Sequence, residues 1–102
     1  MKEATLRKKV IEILRDNWVC WYAPKVRYKE TDLFGIWDLV CLKKRDASSP
    51  VRFIQITTLS NISARRKKIL KFLKENNIHR QSEIWGWDKK KRKFKIVKVV
   101  NR

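Results

Sequence analysis

The sequence predicts an α/β fold in which a mixed sheet is flanked by two helices. Two segments carry apolar residues at helical spacing, and five shorter runs are rich in β-branched and aromatic residues. Their order is helix, three strands, helix, two strands, which favours helices packed against a mixed sheet. The 102 residues suit a single domain, 1–102, and no repeat or linker divides them.

The first predicted helix covers residues 2–17. Its apolar face is formed by residues spaced three or four apart: Leu6, Val10, Ile13 and Leu14. Glu3 falls on or near this face, whereas Glu12 points nearly opposite. Asn17 is a residue type that favours a helix end, so we expect the helix to stop there.

Three strands are predicted to follow. Residues 18–23 are aromatic and β-branched, and Pro24 ends this strand or places it at a sheet edge. Residues 36–42 form a nearly continuous apolar run, typical of a central strand buried on both faces. Residues 51–58 form the third strand.

The second predicted helix runs to about residue 76, with Ser60 or Asn61 as its N-cap. Its inner face is apolar: Ile62, Ile69, Phe72 and Leu73. Its remaining surface is crowded with cations: Arg65, Arg66, Lys67, Lys68, Lys71 and Lys74. Such a run is either a solvated face or a set of phosphate contacts, and the arginines one turn into the helix suit the second role.

Residues 83–88 and 94–100 are predicted to close the sheet as a hairpin around a lysine-rich turn, 88–93. Three tryptophans have two interpretations, stacking on unpaired bases or packing in the core: Trp37, Trp85 and Trp87.

Charge limits the choice of partner. The chain has 27 Lys and Arg against 10 Asp and Glu, a formal net charge of +17. Like charges at this density repel one another, and a polyanion relieves that repulsion. Nucleic acid is the predicted partner, because counterion release drives its binding to basic surfaces; an anionic membrane surface is the alternative. We expect a cytoplasmic protein, because no run approaches the ~18 apolar residues of a spanning helix and no signal peptide precedes the first helix.

The few residues with metal-binding or nucleophilic side chains are dispersed. Cys20 and Cys41 have no Cys or His partner at metal-ligand spacing, which predicts small core residues in a reducing compartment. A disulfide between them is geometrically feasible only if their strands are neighbours. His79 is the single histidine, so the sequence excludes a catalytic triad and a typical zinc site.

Two polar residues interrupt apolar strands. Asp38 lies within 36–42, where a carboxylate must pair, face solvent at a strand end or bind a metal. Gln55 lies between apolar neighbours on the next strand and shares a strand face with Thr57. An outward-facing polar position is the alternative for Gln55.

This arrangement resembles the PD-(D/E)xK nuclease superfamily, and within it the archaeal Holliday-junction resolvases and small virus-type replication-repair nucleases. The resemblance is carried by Glu3, by Gly35-Ile36-Trp37-Asp38 and by Phe53-Ile54-Gln55-Ile56-Thr57, and it covers roughly residues 3–75. It implies a restriction-endonuclease-like αβββαβ(β) core and a metal-dependent endonuclease acting on branched, nicked or single-stranded DNA.

The resemblance also implies roles for individual residues. Asp38 would be the principal carboxylate holding Mg²⁺ or Mn²⁺, Gln55 would supply a further oxygen ligand in place of the usual acid, and Glu3 would complete the catalytic site. The family lysine is replaced by Thr57, which cannot supply a charge. Either a neighbouring cation (Arg65, Arg66 or Lys68) compensates, or the site has lost catalysis and retains only binding.

We therefore expect one of three functions: a nuclease, a catalytically inactive nucleic-acid-binding module on the same fold, or a basic structural protein of ribosomal or chromatin type. DNA is preferred over RNA as the partner, and the resemblance implies a homodimer. The predicted contacts to nucleic acid lie on the second helix and in the hairpin turn: Arg65, Arg66, Lys67, Lys68, Lys71, Lys89, Lys90, Lys91 and Arg92.

Overall fold

The computed structural model describes residues 3–23, 33–48 and 50–101, and it has the predicted α/β architecture. The elements in chain order are α1 (Glu3–Leu14), β1 (Trp18–Trp21), β2 (Leu39–Lys43), β3 (Val51–Thr58), a 3₁₀ turn (Leu59–Asn61), α2 (Ile62–Glu75), β4 (Ser82–Asp88) and β5 (Lys93–Val99). The predicted third strand, second helix and closing hairpin are confirmed to within a residue or two. Pro24 lies outside the described residues.

The five strands form one mixed sheet in the order β1-β2-β3-β4-β5. β3 and β4 are parallel, and the other neighbouring pairs are antiparallel. The parallel pair follows from α2, because a helical crossover returns the chain to the same end of the sheet before the next strand begins. The carboxyl ends of β3 and β4 therefore lie at the same edge.

α1 packs on one face of the sheet. The buried apolar cluster on this face comprises Leu6, Val10, Leu14, Leu39, Cys41, Ile54, Ile56 and Trp85. The prediction that Ile13 belongs to this core is wrong, since Ile13 is 60% exposed. The buried positions of α1 are spaced four apart, so Ile13 falls to one side of the contact and lines an open groove beside β5.

α2 packs on the opposite face, mainly against β3, β4 and β5. The cluster there comprises Ile36, Trp37, Ile69, Leu73, Ile84 and Val99. Gly86 lets the start of α2 approach β4, because a Cβ atom at this position would collide with the side chain of Ile62. The N-cap is Asn61, but its side chain donates to Thr58 Oγ1 and makes no cap hydrogen bond to the helix.

The predicted second strand is partly wrong. It begins at Leu39 instead of residue 36, and Leu42 is 50% exposed, so it is not buried on both faces. Leu42 is exposed because α2 packs on β3, β4 and β5 but does not cover β1 and β2 on its side of the sheet. Val19 and Trp21 are exposed on this uncovered part of the sheet as well. Among the described residues, no helix is long and apolar enough to span a membrane.

Candidate functional site

Asp38 sits where β2 joins a tight turn. Phe34 and Gly35 in this turn have positive φ angles of 55° and 68°, and the turn is closed by pairing between Leu33 and Trp37. The Asp38 N–H donates to Ile54 O at 2.9 Å, and the Ile56 N–H donates to Asp38 Oδ2 at 2.6 Å. The carboxylate, 6% exposed, thus takes the place of a backbone carbonyl and continues the β2–β3 pairing.

Gln55 and Thr57 are the neighbours of Ile56 in β3, so the Asp38 carboxylate contacts β3 at the position between these two residues. Ile54 and Ile56 face α1, which places Gln55 and Thr57 on the α2 face. They are 3% and 7% exposed, and Gln55 Oε1 has no hydrogen-bond partner among the described residues. We call Asp38, Gln55 and Thr57 the buried polar cluster.

The donor chemistry of the buried polar cluster fits a hard cation in part. The Asp38 carboxylate and the Gln55 Oε1 atom are oxygen ligands of the kind that Mg²⁺ and Mn²⁺ accept. Within the described ranges, no group of three or more His, Cys, Asp and Glu side chains is placed to hold a metal ion. α1 lies on the other face of the sheet, and the side chain of Glu3 lies outside the described residues, so its role stays a prediction.

A second polar site lies on the α1 face, and sequence reasoning missed it. Arg52 Nε donates to Glu83 Oε2 at 2.6 Å, Arg52 Nη2 donates to Oε1, and Trp85 Nε1 donates to Oε1 at 3.2 Å. The Arg52 guanidinium also lies 5.0 Å from the ring centroid of Trp18. The hydrogen bond with Glu83 raises the pKa of Arg52. A glutamate directly before the apolar run of β4 was the available signal, but its partner is 31 residues away.

Cys20 and Cys41 lie directly opposite each other on β1 and β2, so the strands do prove to be neighbours. Both thiols are free, and Cys41 Sγ lies 2.9 Å from Cys20 Sγ in a hydrogen bond. Burial raises the pKa of the Cys41 thiol, with a further contribution from the hydrogen bond to Cys20. Cys41 is therefore a protonated core residue at neutral pH.

A basic groove begins at the carboxyl edge of β3 and β4 and continues between α1 and β5. One cavity of about 650 Å³ is lined by Leu6, Thr58, Leu59, Ser60, Trp87, Asp88, Lys89, Lys90 and Lys91. A second, of about 570 Å³, is lined by Lys9, Glu12, Ile13, Trp85, Trp87, Arg92, Lys93, Phe94 and Ile96. Trp87 lines both, and we call the two together the Trp87 groove. The position of the first cavity agrees with the rule that open α/β sheets bind ligands beyond the carboxyl ends of their strands.

The hairpin turn that rims this groove has a defined shape. Asp88 Oδ1 accepts hydrogen bonds from the N–H groups of Lys90 and Lys91, at 3.0 and 3.2 Å. The carboxylate is thereby used to hold the turn backbone. The ion pairs found among the described residues join Lys43 to Asp46, Arg52 to Glu83 and Lys71 to Glu75, and none uses a lysine of the turn.

The structure divides the predicted nucleic-acid contacts between two surfaces. Lys89, Lys90, Lys91 and Arg92 are exposed in the hairpin turn. The α2 residues lie on the opposite side of the sheet from α1 and are mostly exposed: Arg65, Arg66, Lys67, Lys68 and Lys71. The two surfaces approach at the start of α2, because Ser60 lines the Trp87 groove just before that helix begins.

Comparison with protein-family models, with curated proteins and with solved structures found no significant match to this chain. The resemblance to PD-(D/E)xK nucleases accordingly rests on the residues that carry it.

Proposed function

We propose that this protein binds nucleic acid through the Trp87 groove and the adjoining basic surface of α2, as a module that does not require catalysis. The observation that carries the proposal is the hairpin turn, where Lys89, Lys90 and Lys91 line an open cavity and take no part in the ion pairs of the described residues. Unpaired cations beside a cavity favour a polyanionic ligand, and their neutralisation releases counterions.

The burial of the polar cluster supports binding over cleavage as the principal function. Asp38, Gln55 and Thr57 are each less than a tenth exposed, so a scissile phosphate reaches them only if the surrounding structure opens. Thr57, where the nuclease resemblance places a lysine, brings no positive charge to a phosphate. The Trp87 groove is open at the surface.

The test is binding of labelled single-stranded, duplex, flap and four-way-junction DNA, and of structured RNA, over a range of salt concentrations. If ~5–8 phosphates are neutralised, the slope of log affinity against log salt is roughly −4 to −7. Substituting Gln at Lys89, Lys90 and Lys91 removes three contacts and makes the slope shallower by about 2–3. A shallow slope for the unmodified protein would contradict nucleic-acid binding by this basic surface.

A matched control substitutes Gln at Lys43, Lys44 and Arg45, which are exposed at the end of β2 and the start of the connection to β3. It removes the same charge away from the groove and is expected to leave most of the slope intact. Equal losses in the two triple variants would show that net charge alone drives binding. Preference for structured RNA over every DNA substrate would favour the ribosomal type of structural protein.

A metal-dependent endonuclease is the second candidate, favoured by one observation: the buried Gln55 Oε1 lacks a hydrogen-bond partner among the described residues and lies one residue from the contact of Asp38 with β3. Asp38 and Gln55 would hold a divalent ion, which lowers the pKa of a bound water and stabilises charge on the phosphate. Asp38 would position the ion, and α2 cations would bind the flanking phosphates.

Cleavage of the same DNA substrates with magnesium or manganese tests this second candidate. The Asp38→Asn variant keeps an oxygen that accepts the Ile56 N–H, so a loss of cleavage in Asp38→Asn would arise from the missing charge. Metal-dependent cutting that disappears in this variant, with DNA binding retained, would establish the nuclease. No cutting by the unmodified protein, with salt-sensitive binding retained, would leave the binding module.

A further inference from the structure

The five tryptophans of the chain differ in what they can offer a ligand. Trp37 and Trp85 are 5% and 2% exposed, and Trp18 packs on the α1-side core. Trp21 is 51% exposed, but it lies on the open face of β1 and lines neither cavity of the groove. Trp87 is half-buried and is the tryptophan that lines both cavities.

The Trp87 ring is held in place from within the protein. The ring of Phe94 approaches it edge to face, with centroids 5.0 Å apart and an interplanar angle of 64°. Phe94 also contacts Trp85, whose ring is buried. A ring fixed in this way loses little conformational freedom when a second ring stacks on it.

Cations line both cavities that contain this ring. Lys89, Lys90 and Lys91 line the first cavity, and Arg92 and Lys93 line the second. An aromatic platform flanked by positive charges is the arrangement that binds single strands, with bases on the ring and phosphates on the cations. Duplex DNA cannot use the platform in the same way, because its bases are already stacked on each other.

Lys9 occupies the place that a base would take, since its Nζ lies 5.3 Å from the Trp87 ring centroid. Such a cation–π contact near the surface contributes roughly two- to five-fold to an equilibrium. A stacked base contributes roughly 5- to 150-fold. A base therefore displaces the Lys9 ammonium, which is then free to bind a neighbouring phosphate.

We propose that Trp87 is a base-stacking site for single-stranded nucleic acid, with the phosphates on either side of the stacked base bound by the turn cations. This inference rests on the proposed nucleic-acid binding and names the part of the ligand that the groove recognises. A ligand of this site must present an unpaired base, which a single strand, a flap or a loop can supply.

The experiment compares affinity for a short oligothymidine with that for an abasic oligonucleotide of the same length and charge. The unmodified protein is expected to prefer the thymidine strand by the roughly 5- to 150-fold of one stacked base, reduced roughly two- to five-fold by the loss of the Lys9 contact. Trp87→Leu, which retains apolar bulk without an aromatic face, is expected to bind both strands equally, near the abasic affinity. Trp21→Leu is the matched control for an exposed tryptophan and is expected to keep the preference.

Trp87→Phe provides a second readout that does not depend on how well the leucine variant folds. It retains a stacking face, so part of the base preference should persist. Quenching of tryptophan fluorescence by oligothymidine should appear in the unmodified protein and be lost in Trp87→Phe. Quenching that persists in Trp87→Phe would overturn the proposal, because another tryptophan would then contact the base.

The failure of this inference is distinguishable from that of nucleic-acid binding. Salt-sensitive binding with no preference for thymidine over abasic strands would overturn the stacking site and leave the electrostatic surface. A folded Trp87→Leu variant that retains the full preference for thymidine over abasic strands would likewise overturn the stacking site and leave the electrostatic surface. Absence of binding to every strand and duplex would overturn both proposals.

Discussion

Two polar sites lie within the same sheet, and they differ in how their polar groups are satisfied. On the α1 face, both carboxylate oxygens of Glu83 accept hydrogen bonds from Arg52, and Trp85 adds another. On the α2 face, Gln55 Oε1 is buried without a hydrogen-bond partner among the described residues.

Both sites appear in the sequence simply as polar residues in apolar strands. When a buried polar pair is fully hydrogen-bonded, its own hydrogen bonds offset the cost of removing it from water. A buried acceptor without a partner destabilises the fold by ~1–3 kcal/mol, so its presence needs another explanation. Arg52 and Glu83 therefore have a structural role, and the buried polar cluster is the candidate for binding a ligand.

The largest expected effect comes from breaking the satisfied pair. Glu83→Gln keeps the side-chain volume but leaves the Arg52 guanidinium, 25% exposed, without its counter-ion. We expect a loss of about 3 kcal/mol in the free energy of unfolding, because removing one partner of a buried pair leaves an uncompensated charge. Urea denaturation measures it.

The control for this first prediction is Glu75→Gln, which breaks the exposed Lys71–Glu75 pair at 3.9 Å. Its expected cost is below about 0.5 kcal/mol. A similar loss of stability in both variants would contradict the structural role assigned to Glu83.

Asp38 is expected to rank second. Asp38→Ala removes the acceptor of the buried Ile56 N–H, and an unsatisfied buried N–H costs about 2 kcal/mol. Asp38→Asn retains a side-chain oxygen and should lose about half as much. Urea denaturation of both variants checks the order, and an Asp38→Ala variant as stable as the unmodified protein would show that the hydrogen bond contributes nothing.

Gln55→Met probes the unsatisfied acceptor with a side chain of similar length. Removing a buried oxygen that lacks a partner is expected to raise the free energy of unfolding by about 1 kcal/mol. The same denaturation experiment measures the change. Destabilisation by a comparable amount would mean that the Gln55 amide is satisfied in solution, and the contrast between the two faces would disappear.

The smallest effect concerns pH and the α1 face, where Cys41 lies opposite Arg52. The Cys41 pKa is raised from its ordinary value of 9.0, chiefly by burial, so above that pH the unfolded chain releases this proton while the folded protein keeps it. Stability is thus fully present below pH 9 and falls as pH rises. One such group predicts a loss of about 0.7 kcal/mol between pH 8.5 and 9.5.

Cys41→Ala isolates this contribution, because the variant lacks the thiol and its packing defect does not depend on pH. The difference in stability between the two proteins should therefore shrink by the same amount over this pH interval. A constant difference would show that Cys41 ionises equally in the folded and unfolded states.

The order of the elements and the position of the unusual polar residues could be predicted from the amino-acid sequence. Helical and strand periodicities are local, so α2, β3 and the closing hairpin were predicted closely. The prediction for Ile13 and the two-sided burial of 36–42 were wrong because they depend on which helix covers which strand, and periodicity does not contain that information.

Which polar residues are hydrogen-bonded inside the fold, and which aromatic residues remain accessible, depends on contacts that form when the chain folds. Glu83 finds Arg52 across β3 and β4, and Cys20 meets Cys41 across β1 and β2. Trp85 and Trp87 share a face of β4, yet one is buried and the other lies half-exposed among cations. Burial and partnership arise from contacts between residues far apart in the chain, so local sequence patterns predict where a polar or aromatic side chain occurs but not what it touches.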